Sequence, residues 1–487
     1  MNWLKALCVG ALVAWVCVVP TAEAASQKQE IDRLVSKYQQ LGLFNGSVLV
    51  ANEKGVILEK GYGFANFEWQ VPNTPDTKFR LGSITKQFTA MLILQLAAEG
   101  KLQVDEPVTK YLPDYRKDTG DRITLAHLLN HTSGLPNYTN REFFQKSSRD
   151  PYSVADFVKK FCSGDLEFEP GTKFNYSNSG YFLLGAVIEK VTGQTYAQAL
   201  RQRIFDPLGM KDTGYDVSAT VLPKRASGYE AQPGGYVNAS YLDMTIPYAA
   251  GSLYSTVQDL YRWDRALHEH KLLPAPLEQR MFTPVLEDYG FGWSLKPVKL
   301  HDGKTELASI SHSGGINGFS TLLVRATGKK ELVILLDNTA RGRKLSEMAT
   351  GVLSILHGIP PKQPSQPISD VVMATLEKSS VAEAIARYRT LKATKAGEYD
   401  FAESELNNAG YRLLGSGRIA EAVEVFKLNV EMYPNSGNVY DSLGEAYVAQ
   451  GNKEQALVNY RRAVELDPKN TNAAQAVQQL EKPSATR

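Results

Sequence analysis

The sequence predicts an α+β domain, with an antiparallel sheet and an inserted helical subdomain, followed by an all-α module of helical repeats. The first observation is that strand patterns occur near both ends of the first 358 residues, whereas helical patterns fill the middle. The second observation is a repeat with a period of 34 residues in the C-terminal part. Strands at both ends with helices between them indicate a sheet that is built from the two ends of the domain.

The chain begins with a pattern typical of a secretory signal sequence, in residues 1–24. Lys5 supplies the positive start, residues 7–19 form the apolar run, and residues 22–24 form a small-x-small cleavage site. The apolar run is short for a membrane span, and no later segment is long and apolar enough to be one. We therefore expect an exported protein, either periplasmic or secreted, with no membrane span after removal of the signal.

The composition excludes some classes of partner. The 487 residues include 54 basic and 52 acidic side chains, and the resulting charge of +2 gives no reason to expect a nucleic acid. Cys8 and Cys17 lie in the signal, so Cys162 remains alone, and we expect it to be a small buried hydrophobic residue. The sequence contains no His-Glu-x-x-His motif and no clustered acids at ligand spacing, so we expect neither a metal nor a cofactor.

The elements of the first domain follow in order. A helix is predicted over residues 28–43, and a strand pair follows at residues 46–50 and 55–59, joined by an Asn- and Gly-rich turn. From Ser83 to about residue 270 the pattern is mainly helical. Strands are predicted again at residues 289–293, 307–311, 320–324 and 331–336, and a helix at residues 345–356 closes the domain.

A domain boundary is predicted in residues 359–370, which carry four prolines and have the composition of an extended linker. The first domain then covers residues 25–358, and a helical module covers residues 371–482. Because the linker separates two different sequence patterns, we expect the two parts to be distinct folding units.

The helical module contains two clear repeats, residues 403–436 and 437–470. Small, apolar and proline positions recur at the same spacing in both, a register that resembles the tetratricopeptide repeat. A degenerate copy around residues 381–388 and a final helix near residues 473–480 are predicted to cap the ends. The module either packs on the preceding domain or presents a groove to a protein partner, and the sequence leaves both possibilities open.

Ser83 and Lys86 are the first candidates for catalysis. They stand three residues apart at the start of an apolar helical pattern, so that both lie on one face of the helix. A serine hydroxyl needs a base to take its proton, and a lysine acts as that base when burial or nearby charge lowers its pKa. The alternative is an ordinary helix cap followed by a solvated lysine.

Two further motifs stand downstream of Ser83. Tyr-x-Asn occurs four times, and the copy at Tyr176 and Asn178 is favoured because its loop opens a helical run. His312-Ser313-Gly314 follows a predicted strand and precedes Gly315, where close approach of the backbone is possible. The similar triplet that begins at His301 is better interpreted as a hairpin turn.

These motifs resemble those of the serine β-lactamase and penicillin-binding-protein-like hydrolases, in particular the branch with class C β-lactamases, D-amino-acid peptidases and related esterases. Residues 131–135 and 289–293 are supporting stretches, and the resemblance covers roughly residues 28–358. It implies that Ser83 forms an acyl-enzyme, that Lys86 and Tyr176 share the proton transfers, and that the lysine charge favours a Tyr176 phenolate. The implied substrate-binding residues are Asn178, His312, Gly314 and Gly315, with an oxyanion hole from the N–H groups of Ser83 and Gly315.

The third motif begins with His312 where class C β-lactamases have a lysine. A histidine with an ordinary pKa of about 6.5 is mostly neutral at pH 7 and pairs poorly with a substrate carboxylate. Efficient turnover of penicillins is therefore not expected.

Two other histidines, His127 and His131, flank residues 128–130, just before the loop that contains Gly134, Leu135 and Pro136. They are interpreted as structural.

The predicted function is an exported serine hydrolase that cleaves an amide or ester bond. The substrate classes are a peptide with a D-amino acid, a small ester or, less well matched, a β-lactam. The alternative is an inactive hydrolase fold that recruits a protein partner through its repeats. The presence of Ser83, Lys86 and Tyr176 together favours the enzyme, because a scaffold has no need of all three.

Overall fold

The computed structural model describes residues 22–140, 146–232 and 235–481. Residues 1–21 of the predicted signal, with Cys8 and Cys17, lie outside the described residues. Within the described ranges, no helix combines the length and apolar character needed to cross a membrane. In the same ranges, no group of three or more His, Cys, Asp or Glu side chains is arranged to hold a metal ion.

The main sheet of the first domain has five strands, all antiparallel, in the order β3-β4-β5-β1-β2. The strands are β1 (Gly46–Asn52), β2 (Gly55–Tyr62), β3 (Ser309–Ile316), β4 (Phe319–Ala326) and β5 (Glu331–Asp337). Strand β1 lies between β2 and β5, and Gly46 is opposite Asp337. The sheet is thus built from the two ends of the domain, and the predicted α+β class is confirmed.

The longer helices of this domain are α1 (Ala22–Gln40), α2 (Thr85–Ala98), α3 (Asn178–Thr192), α4 (Val257–His268) and α5 (Gly342–Leu356). Helices α1 and α5 pack on one face of the sheet, against a set that includes Val48, Val50 and Leu335. Leu49 and Ile334 point to the opposite face and join the core of the helical insertion. Both faces are covered, which explains why β1 and β5 consist almost entirely of apolar residues.

The remaining elements of the first domain are short. The helices are Val108–Tyr111, Lys117–Gly120, Leu125–Leu129, Val154–Phe161, Tyr196–Leu200, Asp206–Leu208, Tyr248–Gly251 and Ala275–Met281, with 3₁₀ turns at Gly82–Ile84 and Tyr138–Asn140 and a π turn at Arg201–Phe205. The strands are Phe64–Asn66, Val71–Pro72, Phe79–Arg80, Gly214–Tyr215, Tyr229–Gln232, Gly235–Asn238, Leu253–Ser255, Val298–Lys299 and Glu306–Leu307. Most of them lie in the insertion between β2 and β3.

The prediction of a strand at residues 289–293 is wrong. This segment forms only isolated bridges at Tyr289, and its aromatic side chains enter the core without a neighbouring strand. Gly292 has a positive φ of 77°, and a Cβ there would lie 2.8 Å from the backbone oxygen of Lys86. The alternation of glycine and aromatic residues therefore reflects a tight loop against α2 rather than a pleated strand.

The C-terminal module consists of antiparallel helix pairs around one apolar cluster. Its helices are α6 (Ile368–Leu376), α7 (Val381–Thr394), α8 (Glu403–Gly415), α9 (Ile419–Met432), α10 (Gly437–Gln450), α11 (Lys453–Leu466) and α12 (Thr471–Glu481). In each repeat an aromatic ring of the second helix lies on a glycine of the first. A Cβ at Gly410 would meet the ring of Phe426 at 2.4 Å, and one at Gly444 would meet Tyr460 at 2.9 Å. These contacts account for the recurring glycine in the 34-residue period.

The module contacts the first domain through charged side chains. Arg341 lies 3.2 Å from Asp370 of α6, and Lys344 of α5 lies 3.0 Å from Asp400 and 4.0 Å from Glu405. A cavity of about 640 Å³ lies beside these pairs, away from Ser83. Helix α6 begins at Ile368, inside the segment that its prolines predict to be a linker. The contacts favour packing of the module on its own domain.

We predict that Lys344→Met lowers the free energy of unfolding by about 1–3 kcal/mol. The carboxylates of Asp400 and Glu405 then lose their positive partner at a largely buried site. The side chain of Lys344 is 10% exposed. The matched control is Lys427→Met, since Lys427 pairs with Glu424 on one helix and is 47% exposed. Such an exposed pair contributes at most about 0.5 kcal/mol. Thermal and urea unfolding measure both variants, and equal effects would contradict a stabilising junction.

Candidate active site

Ser83 lies in the 3₁₀ turn Gly82–Ile84, which leads directly into α2. Gly82 has a positive φ of 54°, and a Cβ there would lie 2.9 Å from the backbone nitrogen of Gly315. Helix α2 is buried on nearly every side rather than amphipathic, so its first turn is held firmly by the core. The partly exposed Ser83 is thereby fixed at the boundary between the sheet and the helical insertion.

The amino group of Lys86 is buried next to the Ser83 hydroxyl. Its Nζ lies 3.0 Å from Ser83 Oγ, 2.8 Å from Asn178 Oδ1 and 2.8 Å from the carbonyl oxygen of Ala250. Burial lowers the pKa of Lys86 well below its usual value of 10.5. The sequence predicts such a lysine beside Ser83, and the structure brings the two together.

The three contacts of Lys86 determine where a neutral amine at this position directs its N–H bonds and its lone pair. A neutral amine has two N–H bonds and one lone pair, whereas the Asn178 oxygen and the Ala250 carbonyl can only accept hydrogen bonds. Both N–H bonds are therefore directed to these two oxygens. The lone pair is left to accept the proton of the Ser83 hydroxyl, which is the geometry of a general base.

Asn137 fixes the orientation of Asn178. The backbone N–H and the side-chain Nδ2 of Asn178 both donate to Asn137 Oδ1, each at 3.2 Å. The Asn178 amide can therefore present only its oxygen to Lys86. The sequence analysis missed Asn137, since a polar residue that follows Pro136 in a loop carries no distinct signal.

Tyr176 completes the group around Ser83. The centre of its ring lies 4.9 Å from Lys86 Nζ, and its hydroxyl is close enough to the Ser83 side chain for that group to affect its pKa. Burial raises the pKa of Tyr176 above its usual value of 10, and the Ser83 side chain only partly opposes this effect. The phenol is therefore protonated at neutral pH, in contrast to the phenolate implied by the resemblance, because burial disfavours the charged form.

His312 lies near Tyr176 but is held in a neutral form. Its Nδ1 donates to the carbonyl oxygen of Ser313 at 2.6 Å, so its Nε2 accepts a hydrogen bond from the Tyr289 hydroxyl at 2.8 Å. Burial and, to a smaller extent, the nearby Lys86 lower the pKa of His312 to about 3, although the hydrogen bond to the Ser313 carbonyl opposes them. His312 is therefore neutral at pH 7, as expected for a histidine in the third motif, and its surroundings keep it neutral at lower pH as well. Tyr289 was predicted as part of a strand, and its contact with His312 was not foreseen.

The free edge of β3 faces Ser83. Ser311 exchanges both backbone hydrogen bonds with Ser294, on the side away from β4. Since backbone directions alternate along a strand, Gly315 also points its N–H group away from β4, toward Gly82. The motif from His312 to Gly315 therefore lies within β3, not after a strand that ends at Ser311 as the sequence predicts.

Gly314 and Gly315 have different structural reasons to be glycine. A Cβ at Gly314 would lie 1.9 Å from the backbone oxygen of Leu81, whereas a Cβ at Gly315 would meet no atom within 4 Å. The backbone of Gly315 lies close to Gly82, as expected, and the backbone of Leu81 approaches Gly314 closely as well. Gly315 also borders open space in front of Ser83.

We predict that Gly314→Ala destabilises the protein by at least about 3 kcal/mol, because β3 or the segment at Leu81 must move to admit the methyl group. Gly315→Ala should change the free energy of unfolding by less than about 1 kcal/mol. Chemical denaturation of the two variants is the measurement. Similar stabilities would show that β3 does not contact Leu81 as closely as described.

The candidate site opens into a cavity of about 350 Å³. Ser83, Asn178 and Gly315 line it, together with residues around Tyr138 and Ile246. The cavity thus lies where the edge of the sheet meets the helical insertion, as the arrangement of strands and helices predicts. Its volume suits a small acyl group rather than a folded protein segment.

A comparison with protein-family models gives a match to the model described as beta-lactamase over residues 31–356, more than half of the 487 residues. The chain belongs to the beta-lactamase family. A second model, described as a TPR repeat, matches residues 444–473. This member of the beta-lactamase family therefore carries a C-terminal tetratricopeptide module, and both predicted resemblances are confirmed.

Several relatives of this beta-lactamase family protein are named as penicillin-binding proteins, a hydrolase or an amidase. Penicillin-binding protein 4* of Bacillus subtilis (strain 168) is 30% identical over 364 residues, which cover 70% of this chain and 79% of that protein. Teichoic acid D-alanine hydrolase of Staphylococcus aureus is 32% identical over 270 residues, which cover 55% of this chain and 64% of that protein. The crystal structure of D-amino acid amidase from Ochrobactrum anthropi SV3 matches with a TM-score of 0.59 at 26% identity, covering 68% of this chain and 99% of that one.

Proposed function

We propose that this chain is an exported serine hydrolase that cleaves ester or amide bonds of D-amino-acid derivatives through an acyl-enzyme on Ser83. The observation that carries the proposal is the contact set of Lys86, whose lone pair is left for the Ser83 hydroxyl. The proposed catalytic residues are Ser83, Lys86 and Tyr176. The proposed reaction uses only side chains and backbone groups of this protein, without a cofactor.

In the proposed reaction, Ser83 Oγ attacks the carbonyl carbon while its proton passes to Lys86 Nζ. The oxyanion that forms accepts hydrogen bonds from the N–H groups of Ser83 and Gly315, and each such donor contributes a few kcal/mol in the transition state. The proton then passes to the leaving group through the Tyr176 hydroxyl, and the bond to that group breaks. Water hydrolyses the acyl-enzyme by the same proton path in reverse.

The neutral state of His312 argues for a neutral leaving group. A substrate that ends in a free carboxylate gains from a cation at this position, and a histidine whose pKa lies at about 3 does not supply one. The names of two relatives, a teichoic acid D-alanine hydrolase and a D-amino acid amidase, indicate acyl groups of D configuration. We therefore favour D-aminoacyl esters and amides over peptides with a free terminal carboxylate and over β-lactams.

The test is hydrolysis of D-alanine p-nitrophenyl ester and D-phenylalanine amide by purified residues 25–487. We expect the D compounds to react at least about 10-fold faster, in kcat/KM, than their L enantiomers, and faster than a peptide that ends in D-Ala-D-Ala. A covalent fluorophosphonate probe should label Ser83. Absence of both turnover and labelling would overturn the proposal in favour of the inactive scaffold.

Export and the role of the repeats belong to the same proposal. The signal pattern in residues 1–24 supports export, either to a periplasm or out of the cell. The tetratricopeptide module indicates that a protein partner binds there, and its ion pairs with Arg341 and Lys344 keep that partner close to the hydrolase. A pull-down from an extract of the exported compartment, with and without residues 365–487, measures whether the repeats recruit a protein.

A further inference from the structure

His131 occupies an unusual place in the fold. It follows the short helix Leu125–Leu129, its side chain is 1% exposed, and its φ of 60° is in the left-handed region. Few residues other than glycine adopt this conformation, and surrounding contacts must maintain it. The sequence analysis assigned His131 only a general structural role.

The contacts of His131 are made with three consecutive residues of the loop that carries Tyr176. Its carbonyl oxygen accepts a hydrogen bond from the backbone N–H of Asn175 at 2.9 Å. Its ring packs against that of Tyr176 in a tilted arrangement, with the centres 4.1 Å apart and the planes inclined by 36°. Its Nδ1 accepts a hydrogen bond from the backbone N–H of Ser177 at 3.1 Å.

We propose that His131 is a positioning residue that holds the Tyr176 hydroxyl against Ser83. The proposal rests on the proposed function, since it assigns a role in the proton transfers of that site. The two backbone contacts fix the residues on either side of Tyr176, and the adjacent imidazole ring fixes the phenol itself. Of the rings that His131 contacts, that of Tyr176 is the nearest, so Tyr176 is the group through which we expect it to act.

The hydrogen bonds also define the form of the His131 ring. Because Nδ1 accepts the N–H of Ser177, a neutral ring carries its proton on Nε2. Burial holds the pKa of His131 well below 6.5, and Lys86 and His312 add to this effect. Nε2 is buried and has no hydrogen-bond partner in the described part of the chain. The ring is thus fixed by Ser177 and by tilted ring contacts, including those with Tyr181 and Tyr289 at 5.1 and 4.9 Å between centres.

The first variant to test is His131→Asn. Asparagine tolerates a positive φ and carries an acceptor oxygen close to the position of Nδ1, but it lacks the imidazole ring. We expect kcat for the p-nitrophenyl ester to fall about 10- to 100-fold with KM changed less than about 3-fold, since misplacement of a catalytic group costs rate rather than binding. His127→Asn, in the same segment, is the control for removal of a histidine.

The decisive measurement repeats His131→Asn in a Tyr176→Phe background. If His131 acts through the Tyr176 hydroxyl, the second change should cost less than about 2-fold once that hydroxyl is gone. The same loss in both backgrounds would overturn the proposal, and so would an unchanged kcat in His131→Asn. If His131→Asn does not fold, His131→Gly replaces it, and added imidazole should restore at least part of the rate. Lack of labelling of wild-type Ser83 would instead contradict the proposed function itself.

Discussion

Replacement of Ser83 by alanine should abolish ester hydrolysis while the protein stays folded. The hydroxyl oxygen is the atom that forms the acyl bond, and Lys86 and Tyr176 have no other nucleophile to activate at this position. Loss of a nucleophile of this kind lowers kcat by a factor of about 10⁴–10⁶. Stability should change by less than about 1 kcal/mol, because the partly exposed side chain is small and Lys86 keeps two other partners.

The measurement is kcat for a p-nitrophenyl ester, with thermal unfolding and fluorophosphonate labelling of the same preparations. Ser311→Ala is a suitable control, since the backbone hydrogen bonds between Ser311 and Ser294 do not depend on the side chain. Turnover that survives Ser83→Ala at more than about one hundredth of the wild-type rate would identify a different nucleophile. The acyl-enzyme mechanism would then be wrong.

Replacement of Lys86 by methionine should lower kcat by at least about 10³-fold, because the Ser83 hydroxyl loses the base that takes its proton. Methionine has nearly the length of lysine but donates no hydrogen bond. Asn178 Oδ1 and the carbonyl of Ala250 then lose a donor, and each loss costs about 1–3 kcal/mol of stability. The rate must therefore be normalised to the folded fraction, measured by circular dichroism at the assay temperature.

The pH dependence gives an independent check on Lys86. Only the neutral amine has a lone pair, so kcat/KM should fall as the pH is lowered through the pKa of Lys86. Because burial lowers this pKa well below 10.5, the rate should already reach its plateau below pH 10. Lys110→Met, at an exposed lysine paired with Glu106, should leave the profile unchanged. A wild-type rate that still rises steeply above pH 10 would contradict a lysine whose pKa is lowered.

Local periodicity was enough to predict Ser83 and Lys86 as neighbours. Positions three apart on a helix share a face whatever the rest of the chain does. The sheet was predictable because strand patterns occur at both ends of the domain with helices between them, and the two sets of strands are expected to join in one sheet. The 34-residue period likewise predicted the helix pairs, with Gly410 against Phe426 as the physical cause of the repeated glycine.

The rest of the site depends on contacts between segments that are distant in sequence. The Ala250 carbonyl that accepts a hydrogen bond from Lys86 is 164 residues away. It is a backbone group, so the type of residue at this position does not reveal it. The neutral state of His312 results chiefly from its burial, and the Tyr289 hydroxyl that contacts its Nε2 lies 23 residues earlier, in a loop whose sequence resembles a strand. Burial also decides the charge of Tyr176, and the sequence motif does not reveal it. Packing therefore sets the protonation states, while the motif sets only the residue types.

The pairing of β1 with β5 has a consequence for the synthesis of the chain. Strand β1 pairs with β2 as soon as the hairpin is made, but its other neighbour, β5, follows only after nearly 300 later residues, since Gly46 meets Asp337. Contacts of such long range slow folding and delay it until the domain is complete. For the export proposed above, a domain whose sheet closes late has the advantage that it is not yet folded when it is translocated. The contacts of the repeat helices are local, so these helices can form sooner than the sheet.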